Sequence, residues 1–164
     1  MKTHLMLRIL LAFHLTGLTI MAGTTIIDFF TFKTFCRLID HNDNKAFNLL
    51  PLMSGYGSFV RAGAAILILT GAGMFLVMKG IWWDQLWFKV KIALVLLLVL
   101  NGMLVGNKQG TRLRSMAYEG FPGFVQRAVH VRANLDRFYI IQLLLFFLII
   151  LVSAVKFENT LKVQ

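Results

Sequence analysis

The sequence predicts an all-α protein built as a four-helix transmembrane bundle. Hydrophobic residues make up 58% of the 164-residue chain, and its mean hydropathy is +0.74. Charged residues contribute only 15%, whereas a soluble domain of this size has about a quarter. Polar segments separate four apolar runs that are each long enough to cross a bilayer. Because a backbone in lipid must satisfy its own hydrogen bonds, each run is expected to be a helix.

The four runs fill the chain as one integral membrane domain, 1–164. The first run contains only Arg8 and His14 as interruptions, and it is too long for the apolar region of a simple signal peptide. Pro51 suits the first turn of the second helix, and residues 124–136 are predicted to extend the last helix. The predicted spans are about 5–27, 52–78, 86–106 and 138–155.

Small residues and tryptophans predict how the helices pack. Helix two contains five glycines between residues 55 and 73, which let backbones approach closely in lipid, so this helix is expected to be central. Trp82, Trp83 and Trp87 are typical of a membrane–water interface and predict a tight hairpin between helices two and three. Helix three ends in a small-xxx-small pattern, Gly102 to Gly106. The segment after it is broken by Gly120, Pro122 and Gly123.

Basic residues predict the orientation of the bundle. Ten of the 17 lysines and arginines lie on the side of the one–two and three–four connectors. The positive-inside rule therefore predicts both connectors inside and both termini outside. The seven on the side of the termini are Lys2, Arg8, Lys79, Lys89, Lys91, Lys156 and Lys162.

Several classes of function are excluded. The net charge of +10 arises from helix ends and loops that meet lipid headgroups, so the expected partner is a lipid bilayer and no nucleic acid. The single Cys36 permits no intrachain disulfide. The sequence contains no catalytic triad, phosphate-binding loop or paired-carboxylate motif.

His14 and Lys91 are the sharpest candidates for chemistry. His14 lies roughly 13 Å into the bilayer, at about 1.5 Å of rise per residue. A neutral imidazole there can bind haem iron or copper or relay a proton, and the structural alternative is a hydrogen bond between helices. Lys91 lies about 7 Å inside the same face, where it can pair with a haem propionate or extend to the headgroups.

On the opposite face, Asp28 and Arg61 are expected at similar depth in antiparallel helices. An interhelical ion pair is the structural interpretation, and a proton or ion pathway is the alternative. His4, His41 and His130 fall in terminal or connector segments, which disfavours a haem held by two histidines.

The residues around His14 and Lys91 resemble a known family. The stretch from His14 to Gly23, the segment Leu69-Thr-Gly-Ala-Gly73, and the tryptophans followed by Lys89-Val-Lys91 are similar to HemJ-type protoporphyrinogen oxidases and copper-resistance protein D-like membrane proteins. The resemblance implies catalytic roles for His14 and Lys91, with haem b bound in the bundle and His14 on its iron. The chain departs from the family at Ile20-Met21 and Leu100-Asn101-Gly102, which favours a haem-binding relative over the full oxidase activity.

The leading hypothesis is therefore a haem b-binding redox protein of HemJ/CopD-like type, a multi-pass protein of a bacterial inner membrane. Gly17 and Gly23 are expected to give the flat cofactor room beside His14. A quinone or a porphyrin is the expected small-molecule partner, and homo-oligomerisation is left open. The alternatives are a copper-handling or transport module that uses His14 and methionines, and a structural membrane subunit without a ligand.

Overall fold

The computed structural model describes residues 2–118 and 124–155, and nearly all of them are helical. Lys156 and Lys162, and the predicted breakers Gly120, Pro122 and Gly123, lie outside the described residues, as do the side chains of Lys2 and Trp82. Within the described chain, four helical segments are long and apolar enough to cross a membrane. The predicted all-α bundle of four membrane helices is confirmed.

The helices follow one another with short links. The α-helices are α1 (Lys2–Asp40), α2 (Leu50–Val77), α3 (Leu86–Asn101), α4 (Lys108–Tyr118) and α5 (Phe124–Val155). A π-helix, Gly102–Asn107, joins α3 to α4, so these form one continuous helical segment. Short 3-10 helices, Asn44–Leu49 and Ile81–Asp84, precede α2 and α3. Pro51 lies in the first turn of α2, and the last span is extended back to Phe124, as predicted.

α1, α5 and the continuous α3–α4 segment extend beyond the predicted spans, mainly at one end. α1 has 39 residues, which corresponds to about 58 Å, while a hydrocarbon core is about 30 Å thick. We call the end with residues 41–49 the connector end and the end with Lys2 and Val155 the terminal end. The hydropathy of the first span falls after Ile27, whereas apolar packing continues the α1 helix to Asp40.

The main core lies at the connector end. Phe32, Phe35 and Ile39 recur on one face of α1 and are at most 1% exposed. They join a second stripe at helical spacing on α5, together with residues of α2 and α4. The α5 stripe consists of Phe124, Ala128, Val131 and Leu135. A smaller cluster around Met21, Leu98, Phe146 and Ile149 fills the bundle toward the terminal end.

The central helix is α5, not α2. α5 packs against α1, α3 and α4, whereas α2 packs mainly on α1 and makes few contacts with α3. The prediction that helix two is central is therefore wrong, because its glycines serve one close contact with α1. At Gly63 an added Cβ would lie 2.9 Å from the backbone oxygen of Gly17. Helices two and three meet instead through rings near their link, where Phe75 stacks on Phe88 at 5.7 Å between centroids.

Candidate functional site

His14 lies in the contact between α1 and α2, in the terminal half of the bundle. Its Nδ1 lies 2.9 Å from the hydroxyl oxygen of Thr70 on α2. Its ring edge faces Gly71, where an added Cβ would be in ordinary van der Waals contact with the imidazole, 3.5 Å from Cε1. A hydrogen bond also joins the His14 ring to the backbone of Leu67. The site is thus built from a histidine on one helix and a threonine and glycine on the next.

The hydrogen bonds of Thr70 determine which nitrogen of His14 carries a proton. The Thr70 hydroxyl donates to the carbonyl oxygen of Ile66 at 2.6 Å, so its own hydrogen is already used. Thr70 then accepts from His14, and we infer that the N–H lies on Nδ1. Nε2 is left as the nitrogen with the available lone pair.

Lys91 approaches the same site from α3. The side chain is partly buried, and its positive charge acts on the His14 ring. The fold therefore brings His14 and Lys91 into the same layer of the terminal half, although they are 77 positions apart in the sequence. Lys89, two residues earlier on α3, is exposed.

The two glycines expected to make room for a cofactor have different surroundings. Gly17 is buried against α2, and an added Cβ would lie 2.9 Å from Ile66 Cγ2 and 3.1 Å from the Gly63 carbonyl oxygen. The expectation that Gly17 offers an open face to a flat group is therefore wrong, because the backbone of α2 fills that space. Gly23 has no atom within 4 Å of an added Cβ.

Asp28 does not pair with Arg61. The Asp28 carboxyl turns toward α5, where Oδ2 accepts a 2.8 Å hydrogen bond from the Tyr139 hydroxyl. Arg61 lies on the exposed face of α2 and donates to Ser58 at 3.0 Å. The predicted ion pair is wrong because matched depth does not ensure matched faces, and the two side chains leave their helices in different directions.

The α1–α5 contact has ion pairs that the sequence did not predict. Lys33 pairs with Asp136, and Arg132 makes two hydrogen bonds to Asp40, at 2.8 and 2.9 Å. Together with Asp28–Tyr139 these contacts follow one face of α5. Arg132, Asp136 and Tyr139 have the helical spacing that places them on one face of α5. Their partners can be identified only when the neighbouring helix is known.

A further polar contact crosses the bundle between α3 and α5. Gln142 is only 3% exposed, and its Oε1 accepts a 2.8 Å hydrogen bond from Asn101 Nδ2. Asn101 immediately precedes the π-helix, and Gly106 within it lies against the Phe138 ring, leaving no space for a Cβ. The Gly102–Gly106 pattern thus marks a close helix contact, with α5 as the partner.

Within the described chain, no three His, Cys, Asp or Glu side chains are grouped so as to hold a metal ion. His4, His41 and His130 are exposed, so His14 is the histidine that the fold places inside the bundle. Comparison with known proteins finds no match, whether to a family model, a curated protein or a solved structure.

Proposed function

We propose that this integral membrane protein binds haem b through Nε2 of His14 and functions in membrane redox chemistry. The observation that carries the proposal is the assignment of the two ring nitrogens. Nδ1–H is held by Thr70, and Nε2 keeps its lone pair. Histidines that bind metals commonly donate their second N–H to a fixed acceptor in this way, which orients the ring and raises its basicity.

The surrounding residues fit an iron ligand at His14 and limit where the macrocycle can lie. The space between α1 and α2 at Gly17 is closed, so the porphyrin cannot enter there. Lys91 supplies a positive charge near the ring that suits a propionate. When bound, the haem iron would supply one-electron transfer, with a quinone or a porphyrin as the exchange partner.

A second candidate, a structural subunit without a ligand, is favoured by the same hydrogen bond. The Nδ1–Thr70 contact joins α1 to α2 and satisfies one polar atom of His14 in lipid. In the first candidate Nε2 of His14 binds the haem iron, and in the second it binds no ligand. A ligand-binding measurement therefore separates the two.

The test is an absorption spectrum of the detergent-purified protein before and after haem is supplied. We expect a Soret band that responds to carbon monoxide, because no second histidine lies inside the bundle to close the sixth position. His14→Ala should abolish binding, and Thr70→Val should weaken it by about 10–100-fold. Lys91→Met should reduce retention without abolishing it.

His130→Ala is the matched control, because His130 is exposed on α5 and far along the chain from the site. It should bind haem as the wild type does. Absence of a Soret band after haem is supplied, or full retention in His14→Ala, would rule out the proposal and leave the structural role.

A further inference from the structure

The Asp28 carboxyl is a partly buried acidic group that the His14 site does not explain. Its Oδ2 accepts a hydrogen bond from Tyr139, but Oδ1 is buried and accepts none from the described residues. An ionised carboxylate has two oxygens that both need donors, and burying one without compensation is costly. The arrangement therefore suits a carboxyl group that carries a hydrogen on Oδ1.

The basic residues near Asp28 have other partners. On α1, Lys33 pairs with Asp136 of α5, one turn further toward the connector end. On α2, Arg61 donates to Ser58.

Two further arginines lie on α5 and α4. Arg132 of α5 is held by Asp40, and Arg114 of α4 donates to Thr111. Arg114 acts on Asp28 through its charge, without a direct ion pair. No described cation is thus placed on Oδ1, and the donor that faces this carboxyl is the Tyr139 hydroxyl.

We propose that Asp28 is a proton-binding site, with the exchangeable proton on Oδ1 and Tyr139 fixing the carboxyl through Oδ2. When Asp28 binds a proton, a hydronium ion from the solution at the connector end transfers it to Oδ1. An O–H bond forms on Oδ1, and the hydronium ion becomes water. The reverse step returns the proton to water. Asp28 follows the apolar run that ends at Ile27, so the site lies where α1 passes from lipid to the packed connector end.

This inference does not depend on haem binding, and infrared spectroscopy of the full-length protein without added haem tests it. We expect a carboxylic C=O stretching band that grows as the pH is lowered from neutral to mildly acidic values and that shifts in D₂O, because the proton exchanges. Asp28→Asn should remove the band completely. Tyr139→Phe should shift its frequency, because the hydrogen bond to Oδ2 is lost.

Asp40→Asn is the control, since Asp40 is an exposed carboxylate paired with Arg132, and the band should be unchanged in it. A wild-type protein without such a band while folded, or a band that persists in Asp28→Asn, would overturn the proposal. If Asp28→Asn does not fold, an unshifted band in Tyr139→Phe has the same consequence.

Discussion

The connector end and the terminal end of the bundle are held together in different ways. All five of the largest fully buried side chains lie at the connector end: Phe32, Phe35, Phe124, Ile39 and Leu113. In the terminal half, large apolar side chains such as Leu69 and Leu76 are more than 70% exposed, and lipid is the partner that would cover them. Protein packing thus supports the helices beyond the apolar spans, and the bilayer supports the rest.

Polar contacts follow the same division. The ion pairs Lys33–Asp136 and Asp40–Arg132 lie at the connector end, where their side chains are partly exposed to water. Among the described residues, the terminal half instead has one interhelical hydrogen bond of a titratable side chain, His14 with Thr70. The half that depends less on protein packing is the one in which we propose a haem site.

The largest effect should come from emptying the connector core. Phe35→Ala should cost about 3–5 kcal/mol of unfolding free energy, because the ring is fully buried and its loss leaves a cavity. Phe30→Ala is the matched control on the same helix, since Phe30 is 64% exposed. Thermal unfolding in detergent measures both, and equal losses would show that the connector end is no better packed than the lipid-facing surface.

Closing the glycine contact between α1 and α2 should have the next largest effect. Gly63→Ala should cost about 1–3 kcal/mol, because the added Cβ would lie 2.9 Å from the backbone of α1, which cannot yield as a side chain can. Gly55→Ala has open space around it and should be nearly neutral. If both variants unfold alike, α1 and α2 do not approach as described.

The Asn101–Gln142 hydrogen bond should contribute a smaller amount. A double-mutant cycle with Asn101→Leu and Gln142→Leu should give a coupling of about 0.6 kcal/mol, the average for such bonds in membranes. Each single variant should destabilise more than the double, since it leaves one amide without its side-chain partner. Strictly additive losses would mean that the two amides do not interact.

The smallest effect should come from Lys33–Asp136. The two side chains are 48% and 37% exposed, so their coupling should be about 0.2–1 kcal/mol and should fall at high salt. A cycle with Lys33→Met and Asp136→Asn, repeated at low and high salt, measures this. Salt-independent coupling well above this range would indicate that the connector end is less accessible to water than its exposure implies.

The sequence was sufficient for the class of fold, an all-α bundle with four helices apolar enough to cross a membrane. A helix that crosses lipid needs a long apolar run, so such a run can be recognised without knowing which helices pack against it. The extension of α1 to Asp40 was harder to predict, because it depends on Phe35 and Ile39 finding the α5 stripe, and not on hydropathy.

The site was predictable only in part. His14 and Lys91 were identified because each is costly in lipid, and the fold brings them into one layer. Thr70 and Tyr139 were missed, because a hydroxyl in a helix usually bonds its own backbone, and its interhelical partner depends on rotation about the helix axis. The same rotation explains why Asp28 meets Tyr139 and not Arg61.

The most direct test of the account is the position of the proton on His14. Nitrogen NMR of the histidine-labelled protein without haem, with His14→Gln to assign the signal, distinguishes a protonated ring nitrogen from one with a lone pair. We expect Nδ1 protonated and Nε2 bare, with the Nδ1 signal shifted in Thr70→Val and unchanged in Thr16→Val, whose hydroxyl bonds the Ala12 carbonyl. A proton on Nε2 would contradict the account, because the nitrogen assigned to the iron would then have no lone pair to give.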